Sequence, residues 1–346
     1  MSQLKNRRVI LKQRATGLPT VENFALSEDP APEPGPGQVL VHNTYVSVDT
    51  GMKGWISTAR NYASVETGAT MNAFGVGEVV ASRHPDVTEG DIVTGLTGWQ
   101  TYGVADPRQP LFRKVDPSTA PISTALGVLG VSGLTAYFGL LDVGQPKPGE
   151  TVLVSTAAGA VGSAVGQIAA LRGYRPVGIA GGPAKTSLCR DVFGYEAALD
   201  YKAGADLAKE LREVCPNGVD VYFDNVGGAT LDLVLKQMNA GGRVVICGTA
   251  ATESWDPPPL GPRVERDVLV SRLRIQGFLL FDYAERFAEA LGELGGWVKE
   301  GQLRYREDIL EGLEQAPAAL AGLYEGRNMG RQLVRVRPEP RTPVTG

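Results

Sequence analysis

Hydrophobic residues follow two different rhythms along this chain. In the first third, the runs at 38–48 (QVLVHNTYVSV), 76–82 (VGEVVAS) and 91–94 (DIVT) alternate imperfectly between apolar and polar residues, and Gly, Pro or Asp bounds each one. A period of two belongs to half-buried strands between turns. Short strands with no long helix among them predict a β-rich sandwich or barrel. From about Thr151 an apolar run is followed by a helical pattern, repeatedly: TVLVS then AVGSAVGQIAALRG, PVGIAGG then AKTSLCRDVFG, VDVYFDN then ATLDLVLKQMN, and finally GRVVICG. Strands that are apolar throughout must be covered on both faces, and the alternating helices supply the cover, so the pattern predicts an α/β, doubly wound parallel sheet. Beyond it come an apolar run at 273–281 (LRIQGFLLF), helical stretches at 283–300 and 307–325, a strand in RQLVRVR, and a Pro-rich ending, PEPRTPVTG, too poor in apolar residues to fold. The run Leu273 to Phe281 is expected at the edge of the parallel sheet, where an uncovered apolar strand invites pairing with its own copy; a homodimer is the expected assembly.

Composition adds exclusions. At 346 residues the chain is longer than the roughly 250–300 at which one core stops growing, so two domains are expected. A net charge of −4, with 43% hydrophobic and 21% charged residues, lacks the basic excess that nucleic acid or an anionic membrane demands. Pro117 to Leu141 carries no charge over a length sufficient to cross a bilayer, but two prolines, four glycines and several Ser and Thr fit close-packed helices inside a soluble protein better than lipid. The three cysteines (Cys189, Cys215, Cys247) and two histidines (His42, His84) form no close-spaced pair, which argues against a disulfide framework or a zinc cluster. The N-terminus is charged and has no signal-peptide core, so the cytoplasm is the expected location.

The sharpest chemical signal lies where TVLVS runs into Thr156, Ala157, Ala158, Gly159, Ala160, Val161 and Gly162, a version of G-x-G-x-x-G with Ala157 in the place of the first glycine. A dinucleotide pyrophosphate needs backbone amides at a helix N-terminus with no side chain in its way, which Gly159 provides, while Gly162 lets the helix lie close on the strand. About twenty residues further, an acid would hold the ribose 2′-hydroxyl of NAD. VGIAGGPAK ends its strand without one, and Lys185 follows, placed to neutralise the 2′-phosphate of NADP, although a solvated helix-start lysine is the commoner case. Asn225 in FDNVGG and the Cys247-Gly248-Thr249 segment each follow an apolar strand at its carboxyl end, where ligands of open α/β sheets collect. Asn225 serves equally well as a turn residue before Gly227 and Gly228.

These features resemble the medium-chain dehydrogenase/reductase superfamily, in its zinc-free branch of leukotriene and prostaglandin reductases, plant double-bond reductases and bacterial curcumin reductase. The resemblance rests on YVSVD at 45–49, GWQTY at 98–102, GLTAYFGLL at 133–141, AAGAVGSAVGQIA at 157–169, FDNVGG at 223–228, RLRIQGFLLFDY at 272–283 and GRNMGR at 326–331, and spans nearly the whole chain. It implies a β-rich, barrel-like (GroES-like) catalytic domain over 1–125 and 316–337, a Rossmann domain over 126–315 that binds NADPH, and a flexible tail at 338–346. It further implies pyrophosphate contacts from Gly159, Ala160, Val161 and Gly162, 2′-phosphate contacts from Lys185 and Tyr201, and cofactor contacts through Asn225, the 247–253 segment, Phe278, Leu279 and Leu280 beside the nicotinamide, and Asn328. The implied reaction is metal-free hydride delivery from NADPH to the β-carbon of an enone or enal, with protonation at the α-carbon.

The departures from the family pattern bear on substrate. Where relatives carry D-P-Y-M-R with the Tyr facing the active site, this chain has Asp49-Thr50-Gly51-Met52-Lys53. Where they carry a second tyrosine after the C-G pair, Glu253 stands, with Trp255 nearby, and Asn72-Ala73-Phe74 replaces a glycine-rich lining. Tyr62 remains as the third candidate tyrosine, and an exposed or packed loop tyrosine is its alternative. Glu253 serves as a proton source if buried and otherwise orients a substrate hydroxyl or faces solvent. A quinone or carbonyl reductase on the same cofactor site, and a protein that binds NADPH without turnover, are the competing expectations.

Overall fold

The structure, a computed structural model, describes residues 4–59 and 61–340. The chain divides into two units, the first made of the residues up to Leu126, Glu307–Arg327 and those from Gln332 on, the second of Gly127–Arg306 with Asn328–Arg331.

The first unit opens with β1 (Lys5–Leu11) and β2 (Phe24–Pro30), an antiparallel ribbon in which Lys5 faces Pro30 and Leu11 faces Phe24. Then follow β3 (Val39–Ser47), the one-turn helix α1 (Met52–Ile56), β4 (Phe74–Ser82), β5 (Ile92–Leu96), β6 (Tyr102–Ala105) and β7 (Arg113–Lys114). β3 runs antiparallel to β4, and β4 to β5, so the three alternating runs in the sequence are sheet neighbours. The indole of Trp99 is fully buried and donates to the Ser47 carbonyl at 2.9 Å, which ties the end of β3 to the core formed by Val9, Leu11, Phe24, Met52 and Ile56. A large apolar ring inside a domain needs such a partner for its N–H.

The second unit begins with α2 (Val131–Phe138), continued as a π-helix over Gly139–Gly144. β8 (Thr151–Ser155), α3 (Ala160–Leu171), β9 (Arg175–Ala180), α4 (Pro183–Asp191), β10 (Ala197–Asp200), α5 (Leu207–Val214), β11 (Val219–Asp224), α6 (Gly228–Leu235), β12 (Met238–Ile246), α7 (Glu265–Ser271), β13 (Arg274–Gly277) and α8 (Phe287–Lys299) complete it. The six strands lie in the order β10-β9-β8-β11-β12-β13, all parallel. In their own chain order this is 3-2-1-4-5-6, the arrangement of dinucleotide-binding sheets, whose direction of winding reverses between β8 and β11. Every residue of β8 is buried, as expected of a strand covered on both faces.

The chain then returns to the first unit through β14 (Glu307–Glu311), α9 (Ala316–Glu325) and β15 (Arg331–Arg335), which pairs with β3 and closes a seven-stranded sheet. The helix expected over 307–325 is therefore a strand in its first five residues. Gly312, at φ 94°, breaks the backbone where a helix would have to continue, and pairing with β15 overrides the helical preference of Glu and Leu. The return accordingly starts at Glu307 rather than at residue 316, and Asn328–Arg331 stay with the second unit.

Two further expectations change in detail. The apolar run at 273–281 forms an edge strand only over Arg274–Gly277, after which a 3₁₀ turn at Leu280–Arg286 leads into α8. Glu339, inside the expected flexible tail, accepts a hydrogen bond from the Tyr45 hydroxyl at 2.6 Å, so the tail's first residues are held; 341–346 lie outside the described residues. The uncharged stretch Pro117 to Leu141 breaks into a 3₁₀ turn at Ile122–Leu126 and α2, and among the described residues no helix is long and apolar enough to cross a membrane.

Candidate active site

The turn from β8 into α3 is built from backbone. Thr156 adopts φ 53°, a left-handed conformation unusual for a β-branched residue, and its carbonyl accepts the Gly159 N–H at 2.8 Å. A Cβ on Gly162 would fall 2.3 Å from that same carbonyl oxygen, so only glycine lets α3 start this close to its strand. On β9, a Cβ at Gly178 would stand 2.7 Å from the Ala157 methyl, which explains why alanine suffices at position 157 and glycine is needed opposite it. Gly159 caps α3 with no side chain, and the first turn, through Ala160 and Val161, carries no acid. The helix therefore presents its first amides and the positive end of its dipole to an anion without an internal competitor. The Asn328 amide donates to the Gly330 carbonyl at 2.7 Å, and Gly330 bridges Gly159, so the GRNMGR stretch lies beside this turn.

The end of β9 holds the residues expected to meet a 2′-phosphate. A Cβ on Gly181 would lie 2.9 Å from the Tyr201 ring, which packs on that bare backbone and is otherwise half exposed. Lys185 stands in the first turn of α4. Two residues not foreseen join them: Asp200, whose carboxylate accepts the Gly182 N–H at 2.7 Å and the Lys202 N–H at 2.9 Å, and Lys202, 5.8 Å from the Tyr201 ring centre. An acid does reach this strand end, supplied by β10, and it is engaged by backbone amides. The signal was the Asp-Tyr-Lys sequence itself, but only the pairing of β10 with β9 reveals its place.

At the winding reversal, Asn225 is the turn residue and also ties its turn to β8. Its side-chain amide donates to the Ser155 carbonyl at 2.7 Å, and it forms the turn ahead of Gly227. The Cys247 and Gly248 N–H groups donate to the Asp224 carbonyl, and a Cβ on Gly248 would come within 2.8 Å of the Asn225 carbonyl oxygen. A Cβ at Gly227 would come 3.9 Å from the Cα of Thr249, so the Cys247-Gly248-Thr249 exit from β12 runs alongside the Asn225 turn. Desolvation, reinforced by the charge of Asp224, pushes the Cys247 thiol up to about 12, which excludes it as a thiolate nucleophile at neutral pH. Phe278 packs its ring where a Cβ on Gly139 would be, 2.7 Å away, and meets Tyr283 edge-on; Leu280 is buried and Leu279 is partly exposed. Glu253 is exposed on the segment after β12.

In the first unit, Tyr62 is 57% exposed, and its hydroxyl lies 3.2 Å from where a Cβ on Gly51 would be. The phenol thus occupies space that a side chain at position 51 would take. Tyr324, from α9, donates its hydroxyl to the Thr50 carbonyl, and the Lys53 ammonium stands 5.7 Å from the Tyr324 ring centre. Burial and the neighbouring Tyr62 hold the Tyr324 hydroxyl well above the usual tyrosine range. Tyr324 is not singled out by the sequence, and Lys53 only as part of the Asp49–Lys53 stretch. Ala73 and Phe74 are buried, Phe74 as the first residue of β4. His42 stacks on Tyr102 at 4.3 Å, and burial, then the Arg337 charge, lowers it to about 4. His84 accepts the Asp86 N–H in a turn. Among the described residues no three His, Cys, Asp or Glu side chains gather as a metal site would require.

Residues 7–112 match the family described as the N-terminal domain of oxidoreductase, and residues 160–295 the one described as zinc-binding dehydrogenase. The NADPH-dependent curcumin reductase of Escherichia coli is 44% identical over 338 residues, 96% of this chain and 97% of that protein. The NADP(+)-dependent 2-alkenal reductase of Nicotiana tabacum is 38% identical over 343 residues, 97% of this chain and 99% of that one. Among solved structures, CurA from Vibrio vulnificus in complex with NADPH superposes with a TM-score of 0.89 at 41% identity, covering 96% of this chain and 99% of that chain. A parallel nucleotide sheet and a strand-rich partner unit thus define a two-domain oxidoreductase. The chain belongs to the medium-chain dehydrogenase/reductase family, with curcumin, prostaglandin and 2-alkenal reductases as its relatives.

Proposed function

We propose that this protein is an NADPH-dependent reductase of carbon–carbon double bonds conjugated to a ketone or aldehyde. The observation that carries the reading is the uncapped, acid-free start of α3 behind Gly159, set in a chain alike over nearly its whole length to reductases named for NADPH, curcumin and 2-alkenals. Gly159, Ala160, Val161 and Gly162 would hold the pyrophosphate, Lys185 and Tyr201 the 2′-phosphate, and Asn225, Cys247, Gly248, Thr249, Phe278, Leu279, Leu280 and Asn328 the remainder of the cofactor. When bound, NADPH supplies a hydride to the β-carbon of the substrate. The chain's own part is to orient the substrate carbonyl and to stabilise the charge that gathers on its oxygen. Tyr62 is the donor for that oxygen in this reading, because the residue is exposed and its hydroxyl is set over Gly51. Glu253 is exposed, so the burial that a proton donor requires is absent, and its role is to orient a substrate hydroxyl. The protein works in the cytoplasm as a homodimer joined through β13, an edge strand whose four residues are all exposed.

A screen of NADPH and NADH consumption against enals, enones and quinones tests this reading, with light scattering on the same preparation. Turnover of enones with NADPH, weak use of NADH and a dimeric mass are expected. Consumption with quinones alone, equal use of the two cofactors, or a monomer at micromolar concentration would contradict the corresponding part.

A further inference from the structure

Asp224 is fully buried at the carboxyl end of β11, beside the reversal of the sheet. One of its oxygens, Oδ1, accepts four hydrogen bonds: from the Tyr222 hydroxyl, the Val226 N–H and the Gly227 N–H, each at 2.9 Å, and from the Ser155 hydroxyl at 3.2 Å. Oδ2 is buried without a partner. Burying a carboxyl with one oxygen unmatched costs free energy, and an apolar side chain of similar size would avoid the cost. What an apolar side chain would not provide is the connection between turns. The Ser155 hydroxyl, which donates to Asp224, in turn accepts the Asn225 N–H at 2.9 Å, while the Asp224 main-chain carbonyl receives the Cys247 N–H at 2.8 Å and the Gly248 N–H at 3.1 Å. The ends of β8, β11 and β12 therefore meet at this single residue.

We infer that Asp224 is a positioning residue for the dinucleotide: through Ser155 and Asn225 it fixes the carboxyl ends of β8, β11 and β12 in the arrangement the cofactor needs. The two amides of the β11–α6 turn and the hydroxyl of β8 converge on Oδ1, so the turn cannot drift from the strand that carries the nucleotide loop. Burial pushes the Asp224 carboxyl up, against the pull of those four donors, in keeping with a group held for its acceptor oxygen. Tyr222 differs from the other three donors in belonging to the apolar core of the sheet and to none of the three turns.

The inference rests on the reading that this unit binds NADPH, and the test is the dissociation constant for NADPH without substrate, measured by calorimetry well below each variant's Tm. Asp224→Ala is expected to weaken binding about tenfold or more, and Ser155→Ala about three- to tenfold, since each removes a hydrogen bond that orders the turn. Asp224→Asn keeps an acceptor oxygen at Oδ1 and should bind within about threefold of the unmodified protein. Tyr222→Phe should lower Tm and leave the dissociation constant unchanged. If Asp224→Ala does not fold, Ser155→Ala carries the test. Unchanged binding in Ser155→Ala, or weakening in Tyr222→Phe as large as in Ser155→Ala, would overturn the inference while unmodified protein binds normally. An unmodified protein that does not bind NADPH would overturn the functional reading, and the inference with it.

Discussion

Around Gly159–Gly162 the surfaces that meet are backbone surfaces: a Cβ on Gly162 has 2.3 Å to the Thr156 oxygen and nowhere to move. Around Gly51–Tyr62 the surfaces are side chains: an exposed phenol, the Tyr324 hydroxyl on the Thr50 carbonyl, and an ammonium over a ring. The first region tolerates almost no variation because glycine alone satisfies its closest contacts, and the pyrophosphate proposed to bind there is the same in every dinucleotide. The second is adjustable, because a glycine at one position and a tyrosine eleven residues later can fill the same volume. In the proposed reading, the first region meets a fixed cofactor and the second a variable substrate.

Substitutions on each side should separate the two regions cleanly. The largest effect is expected from Gly162→Val, which forces a branched side chain against the Thr156 carbonyl; NADPH binding should fall by more than about a hundredfold, measured by calorimetry on protein shown to be folded. Retained affinity would mean that the turn is not the anion site. Next comes Tyr62→Phe, which removes only a hydroxyl from an exposed position. It should lower kcat about ten- to a hundredfold and leave NADPH affinity unchanged, because a donor to developing charge acts in the transition state. An unaltered kcat would assign the donor role to water. The smallest effect should come from Lys185→Ala, which weakens NADPH about tenfold and NADH hardly at all, as loss of one charge-assisted bond to a phosphate implies. Parallel weakening of both cofactors would place Lys185 away from the 2′-phosphate.

The same contrast explains what could be read in the residues. The alternation of TVLVS, PVGIAGG, VDVYFDN and GRVVICG with helical segments appears in the structure as β8, β9, β11 and β12 in one parallel sheet, because strands buried on both faces must be apolar throughout. The glycines at 159 and 162 were legible because their requirement is steric and local. Residues 307–311 read as helix from sequence because Glu-Asp-Ile-Leu-Glu suits a helix as well as a strand, and the partner β15 lies twenty residues away in sequence. The pairing of Tyr324 with Lys53 is hidden for the same reason: nothing in the spacing of 53 and 324 announces that α9 carries one back over the other. Asp200 was hidden by pairing as well, since it belongs to β10 and acts at the end of β9. Long-range contacts, not local pattern, decide these places.

The central claim, reduction of the conjugated double bond by hydride delivery to the β-carbon, is tested most directly by following an isotope. NADPH carrying deuterium in the transferable position at C4 is mixed with the protein and a simple enone, and the product is examined by mass spectrometry and NMR. A saturated ketone with deuterium on the β-carbon and a solvent-derived hydrogen on the α-carbon is expected. An allylic alcohol with deuterium on the carbinol carbon would contradict it.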